Sequence, residues 1–215
     1  MSQTEVQLIK SSSVVDGDIV GMSSSKLTGT LPALSAANLT NLPAANLTGT
    51  LPAISGANLT GISAGITQAD QWRITANFDT SSDFITANWE RNDTTSGYIG
   101  SGMSESSGVF TFPATGIYHV IAFARGNGLG NTVFYSGIEI HTTPDNSTYS
   151  NVADSYDSMG FTNGYMAVNA QTFFDVTSTS THKVKIKVTA ANSFRFSGSS
   201  TKNETGVTFI RLGDT

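Results

Sequence analysis

The sequence predicts an all-β protein: a jelly-roll β-sandwich head at residues 70–215, carried on an extended, repeat-containing trimeric β shaft at residues 26–69. A short attachment segment, residues 1–25, precedes both. Three observations lead there. Charged residues are only 13% of the 215-residue chain, against about 25% in an ordinary globular protein. β-Branched residues and glycine favour strands and turns over helices. All aromatic residues fall after Ala69, whereas no charged residue occurs between Lys26 and Asp70.

The attachment segment holds one strand-like run, "EVQLI", then a turn at "DGD" and a serine-rich connection. It lacks the apolar core of a secretory signal. No stretch reaches the roughly 20 apolar residues that a membrane-spanning helix needs, so no membrane insertion is expected. Without a signal, the Asn-x-Ser/Thr triplets read as compositional chance.

The shaft is a repeat of period twenty. "LTGTLPALSAANLTNLPAAN" and "LTGTLPAISGANLTGISAGI" agree at 13 positions. Its leucines, among them Leu27, Leu31, Leu39, Leu47, Leu51 and Leu59, are irregularly spaced. A heptad coiled coil needs alternating steps of four and three. Pro32, Pro43 and Pro52 also oppose a helix. The pentapeptide-like "ANLTG" breaks register, since Leu39 and Leu47 lie eight apart. One copy cannot bury its own leucines, because repeat units need neighbours. A three-fold shaft, in which each chain supplies one third of an apolar axis, answers this; a flexible linker is the alternative reading.

Head strands are expected at Gly108–Phe112, Gly116–Ala124, Thr132–Thr142, Tyr165–Val176, His182–Ala190 and Gly206–Leu212. In "HKVKIKVTA" the alternation sends Val184, Ile186 and Val188 inward and Lys183, Lys185 and Lys187 outward. Clusters of Gly, Asn, Asp and Ser separate these runs, which is the pattern of a sandwich or jelly roll.

"GVFTFPATGIYHVIAFARGN" at Gly108–Asn127 resembles the motif of the complement-q and tumour-necrosis-factor-like jelly rolls, through Phe110, Pro113, Gly116 and Tyr118. The closing "GVTFIRLGD" is similar to the last strand of that family. "DQWRITANF", "FITANWERND" and the shaft repeat further resemble fibre proteins of marine bacteriophages. The resemblance implies a compact homotrimer whose head clamps three shaft strands. It also implies a virion location, with the attachment segment docked to other virion proteins. Phe134, Tyr135 and Phe173 are expected to join the shaft leucines in the three-fold core; filling the chain's own sandwich is the alternative.

Few residues suggest chemistry. With no cysteine, thiolate zinc sites and disulfides are impossible. A net charge of -5 gives no support for nucleic acid. His119 lies inside an apolar strand, and His141 and His182 stand at strand edges without a recognisable acid relay. "RGNGLGN" at Arg125–Asn131 lacks the helix and Lys-Ser/Thr of a phosphate loop. Asp145, Asp154 and Asp157 offer oxygens to calcium in a spacing that matches no EF-hand; a solvated acidic loop is the other reading. No cofactor and no catalytic residue are expected.

Recognition by loops on a rigid scaffold is the better expectation. Arg125–Asn131, Thr142–Asp157 and Ser197–Glu204 carry the candidates for binding a host-surface glycan or protein: Arg125, Asn127, Asn131, Asp145, Tyr149, Asp154, Tyr156 and Lys202. The lysine stripe offers itself to anionic glycans, or simply protects an edge. The leading expectation is a phage tail fibre that adsorbs to the host without breaking bonds. Its rival is a capsid fibre, decoration or tail adaptor whose jelly roll serves trimerisation and projection. A glycan-degrading enzyme would need paired acids in a groove, and the acids here are scattered.

Overall fold

The computed structural model describes residues 65–94, 97–158 and 160–215, all within a compact unit spanning Leu59–Thr215. The shaft leucines Leu27, Leu31, Leu39, Leu47, Leu51 and Leu59, and the attachment segment, lie outside the described residues.

Every element among the described residues is a strand. In chain order they are β1 (Ala69–Ile74), β2 (Phe78–Phe84), β3 (Trp89–Arg91), β4 (Ser104–Ser106), β5 (Val109–Thr111), β6 (Gly116–Gly128), β7 (Ser136–Thr143), β8 (Ser150–Asp157), β9 (Tyr165–Val176), β10 (Lys183–Phe196) and β11 (Gly206–Gly213). All pairings are antiparallel. One layer runs β3-β1-β11-β6-β9, and the other is built on β10, with β7 and β8 to one side and β2 and β5 to the other. β10 turns the corner between them. It pairs β7 as far as Ala190 and then β6 from Phe194, with a register shift against β2 in between. Such an irregularity lets a strand bend from one sheet to the next.

The core follows the alternation read from the sequence. Val184, Ile186 and Val188 are fully buried. Phe110 and Phe112 face inward, while Val109 does not. Phe110 meets Trp72 edge-on at 5.7 Å and Phe209 at 5.2 Å, and Phe112 meets Tyr118 at 4.6 Å. These off-face ring contacts are the favoured aromatic geometry. The Tyr118 hydroxyl donates to the Ala114 carbonyl at 3.0 Å, which satisfies its polar end.

Three expectations need correction. β6 continues through Gly126 to Gly128, where a loop was expected. A Cβ on Gly126 would stand 1.9 Å from the Arg195 carbonyl oxygen, so glycine there permits close approach of β10 rather than a turn. Residues 150–157 form β8, an edge strand, and are not an acidic loop. The lysine stripe protects no edge, because β10 is paired by β7 on one side and β2 on the other. Lys183 is buried and its Nζ donates to the Thr179 carbonyl at 2.7 Å. Lys185 lies 4.3 Å from the Tyr149 ring centroid, and Lys187 reaches Glu139 at 3.4 Å.

Candidate functional site

Two surfaces of the β1-β11-β6-β9 layer stand out, and both arise from the outward-facing residues of β6 and β9. Directly opposed residues in an antiparallel pair share a face. The register therefore sets Ile210, His119 and Phe173 in one row across β11, β6 and β9, and Thr208, Ile121 and Gln171 in the next. Phe173 is 67% exposed, and Ile117 and Leu212 are exposed beside it. His119 lies 4.9 Å from the Phe173 ring, and its Nε2 meets Gln171 Oε1 at 3.0 Å. The result is a largely apolar sheet face in which His119 and Gln171 bond each other. Apolar patches of this kind on a sheet face mark contact surfaces.

Further along β6 the face becomes polar. Phe123, Arg125, Asn169, Lys202, Asn203 and Glu204 line an open groove of about 470 Å³. Arg125 Nη1 donates to Glu204 Oε1 at 2.8 Å, and its guanidinium lies 5.7 Å from the Tyr165 ring centroid. The wall made by residues 199–204 is tied down. Ser199 N donates to the Ile74 carbonyl at 2.9 Å. Asn203 Nδ2 donates to Gln71 Oε1 at 2.6 Å. The buried Arg73 donates to the Ser200 carbonyl while also pairing with Glu90 at 2.9 Å and Asp93 at 2.7 Å. A buried guanidinium with most of its donors engaged fixes the segment it touches.

Of the eight expected recognition residues, only Arg125 and Lys202 share this groove. Asn127 follows on β6, where its amide donates to the Gly128 carbonyl. Asn131 is exposed in the β6–β7 loop. The other four belong to the β7–β8 hairpin. Asp145 accepts from Thr143 Oγ1 at 2.6 Å and from the backbone N–H groups of Thr148 and Ser147. These bonds hold its carboxyl well below the usual range. It is a turn former, and Asp154 bonds Asn151 on β8 rather than joining it. Among the described residues no cluster of acids or histidines is placed to hold a metal. Tyr149 covers Lys185 rather than offering a free stacking face.

The Tyr156 hydroxyl donates to Glu139 Oε1 at 2.9 Å. Glu139 was missed in the sequence. It is buried on the outer side of β7 and accepts from Thr189 Oγ1 at 2.7 Å and from His141 Nε2 at 2.7 Å, beside the Lys187 ammonium. Burial opposes its charge, but the bonds from Thr189, His141 and Tyr156 outweigh that and hold its carboxyl at about 2. The Tyr156 phenol is pushed up to about 12 by burial and by Glu139. His141 thus has an acid partner after all, two positions away in the chain. That spacing on a strand puts both side chains on one face. His182 is buried near Thr177 and Thr181.

Phe134 and Tyr135 lie in the β6–β7 connection rather than on a strand. Phe134 is 67% exposed, close to Phe161 and Tyr165 in exposure, and the chain's own sandwich does not take it up. Only Phe173 of the three expected core aromatics stands on the apolar sheet face.

No family model matches the chain, and no curated protein matches it. Solved structures do. An Eiger TNF from S. frugiperda superposes with a TM-score of 0.55 at 12% identity, over 70% of this chain and 96% of that one. Murine APRIL at pH 5.0 gives 0.52 at 14% identity, over 67% of this chain and 98% of that one. Murine APRIL at pH 8.5 gives 0.50 at 15%, again over 67% and 98%. The head is therefore a jelly roll of the tumour-necrosis-factor-like fold.

Proposed function

We propose that the chain is a homotrimeric bacteriophage fibre protein whose jelly-roll head contacts the host surface without catalysis. The observation that carries this reading is the apolar sheet face of Ile117, Ile121, Ile210, Leu212 and Phe173, left open in a single chain. Three copies meeting there would cover it, in keeping with closed symmetry. The uncharged leucine repeat of residues 27–66 makes the same demand for partner chains. A trimer multiplies weak head contacts by avidity. The head offers a rigid groove for contact, whereas its Glu139–His141 pair sits on a sheet surface outside the described grooves. That geometry suits adhesion better than acid–base catalysis.

In this reading residues 1–25 dock to other virion proteins and the particle surface is the site of action. The same apolar face equally serves a capsid fibre, decoration or tail adaptor, in which trimerisation and projection are the whole task. Immunogold labelling of purified particles with antibody to the head, paired with adsorption in the presence of excess free protein, separates the two. Label at the tail tip with blocked adsorption is expected. Label over the capsid with unimpaired adsorption would transfer the role to the structural alternative, and unlabelled particles would refute both.

A further inference from the structure

We propose that Asn163–Gly164, in the β8–β9 loop, is a self-deamidation site. The fold arms it while protecting the other Asn-Gly pair of the chain, Asn127–Gly128. The step is intramolecular and needs only water, so it is independent of the adhesive reading and of any ligand. The two pairs meet at one end of the sheet. Asn127 and Gly128 close β6, where they pair with Arg195 and Phe194 on β10. The Gly128 N–H donates to the Gly164 carbonyl at 3.2 Å. The nitrogen that would attack the Asn127 side chain is therefore engaged and held in a strand.

Asn163 is placed differently. It is exposed, with a left-handed φ of 59°. Neither its carbonyl nor the Gly164 N–H has a hydrogen-bond partner among the described residues, so this peptide unit can turn toward the side chain. Gly164 has no Cβ to hinder that turn. The Asn163 Oδ1 accepts from the Gly130 N–H at 2.7 Å. That donor polarises the side-chain carbonyl and is aimed at the oxygen on which charge develops. After losing its proton to hydroxide, the Gly164 nitrogen attacks Asn163 Cγ, and the carbonyl electron pair moves to Oδ1. Collapse breaks the Cγ–Nδ2 bond, and Nδ2 takes a proton from water and leaves as ammonia. Water then opens the cyclic imide at either carbonyl, giving aspartate or isoaspartate, with no change in oxidation state. Isoaspartate adds a methylene to the main chain. It displaces the acceptor of Gly130 and strains the Thr132–Thr162 bridge that joins the two loops.

The test is ageing of the full-length protein in mildly alkaline heavy-oxygen water, with and without urea, followed by digestion and fragmentation mass spectrometry. In the folded protein, position 163 should convert at least about tenfold faster than position 127, with one heavy oxygen gained per event. Mildly acidic buffer should slow the conversion, and amide hydrogen exchange at Gly130 should rise in step with it. Gly164→Ala should slow it about tenfold or more, because a Cβ then crowds the attacking nitrogen. In urea the two positions should react at similar rates. Equal rates in the folded protein would overturn the proposal. So would an Asn163 that stays intact while the unfolded chain converts. A preference for Asn163 that persists in urea would also overturn it, since sequence and not fold would then set the reactivity.

Discussion

Glu139 shows how one side chain, beside Asp145 and Asp79, contributes to the acid response of the molecule. Its carboxyl is held at about 2, below the ordinary value of 4.5. A depressed folded-state value contributes stability that is complete above the unfolded value and is lost as pH falls through the folded one. Thermal melting at fixed protein concentration should therefore weaken between pH 4.5 and 2, and Glu139→Gln should flatten that limb. At neutral pH the same variant should cost about 1–3 kcal/mol, because Thr189, Tyr156 and Lys187 lose a charged acceptor. An unchanged acid limb in the variant would contradict this role. Arg73 acts on the groove wall in the same local manner. Arg73→Met removes the donors to Glu90, Asp93 and the Ser200 carbonyl and, since both carboxylates reach solvent, should destabilise the head by about 1–3 kcal/mol. Hydrogen exchange at residues 199–204 should rise more than at Val184 or Ile186. Uniform loss of protection would mean that Arg73 serves only global stability.

Among the elements, β6 and β10 carry the architecture, and glycine makes their meeting possible. Gly126 faces the Arg195 carbonyl, and Gly206 would put a Cβ 2.2 Å from the Trp72 carbonyl oxygen. Backbone cannot move aside as a side chain does. Gly206→Ala should accordingly cost at least about 1–3 kcal/mol by overpacking, read from denaturant midpoints; a neutral outcome would show that β1 is free to shift. Gly126 also explains a failure of sequence reading. In "RGNGLGN" the glycines look like loop punctuation, and only the neighbouring β10 backbone reveals that Gly126 and Gly128 sit within a strand, while Gly130 stays in the loop. β10 itself was legible at its start, where Val184, Ile186 and Val188 alternate with lysines against a single core. Its continuation to Phe196 was not, because the strand changes sheets and the alternation loses its reference face. β8 was illegible for a different reason. It is an edge strand with both faces largely exposed, so "SNVADSYD" lacks the apolar phase that marks a buried strand. The groove was half legible. Arg125 and Lys202 were recognisable as polar loop residues, but Phe123 and Asn169 join them only through the β6–β9 register.

For the whole molecule, the trimer proposed above would cover the apolar sheet face. The face is made of residues that alternate outward from a well-packed sandwich, so altering them should spare the fold. Ile121→Asp with Phe173→Asp places buried charge at the proposed contact. Circular dichroism should stay unchanged while the trimer dissociates at concentrations at least about a hundredfold higher, given the several kcal/mol of unpaired charge desolvation. Loss of the β signal instead would show that these residues serve the sandwich itself. The most direct measurement of the account is sedimentation equilibrium of the full-length chain across the micromolar range. The account predicts a single species of three times the 22.5 kDa chain mass. A species that stays at 22.5 kDa throughout that range would contradict it.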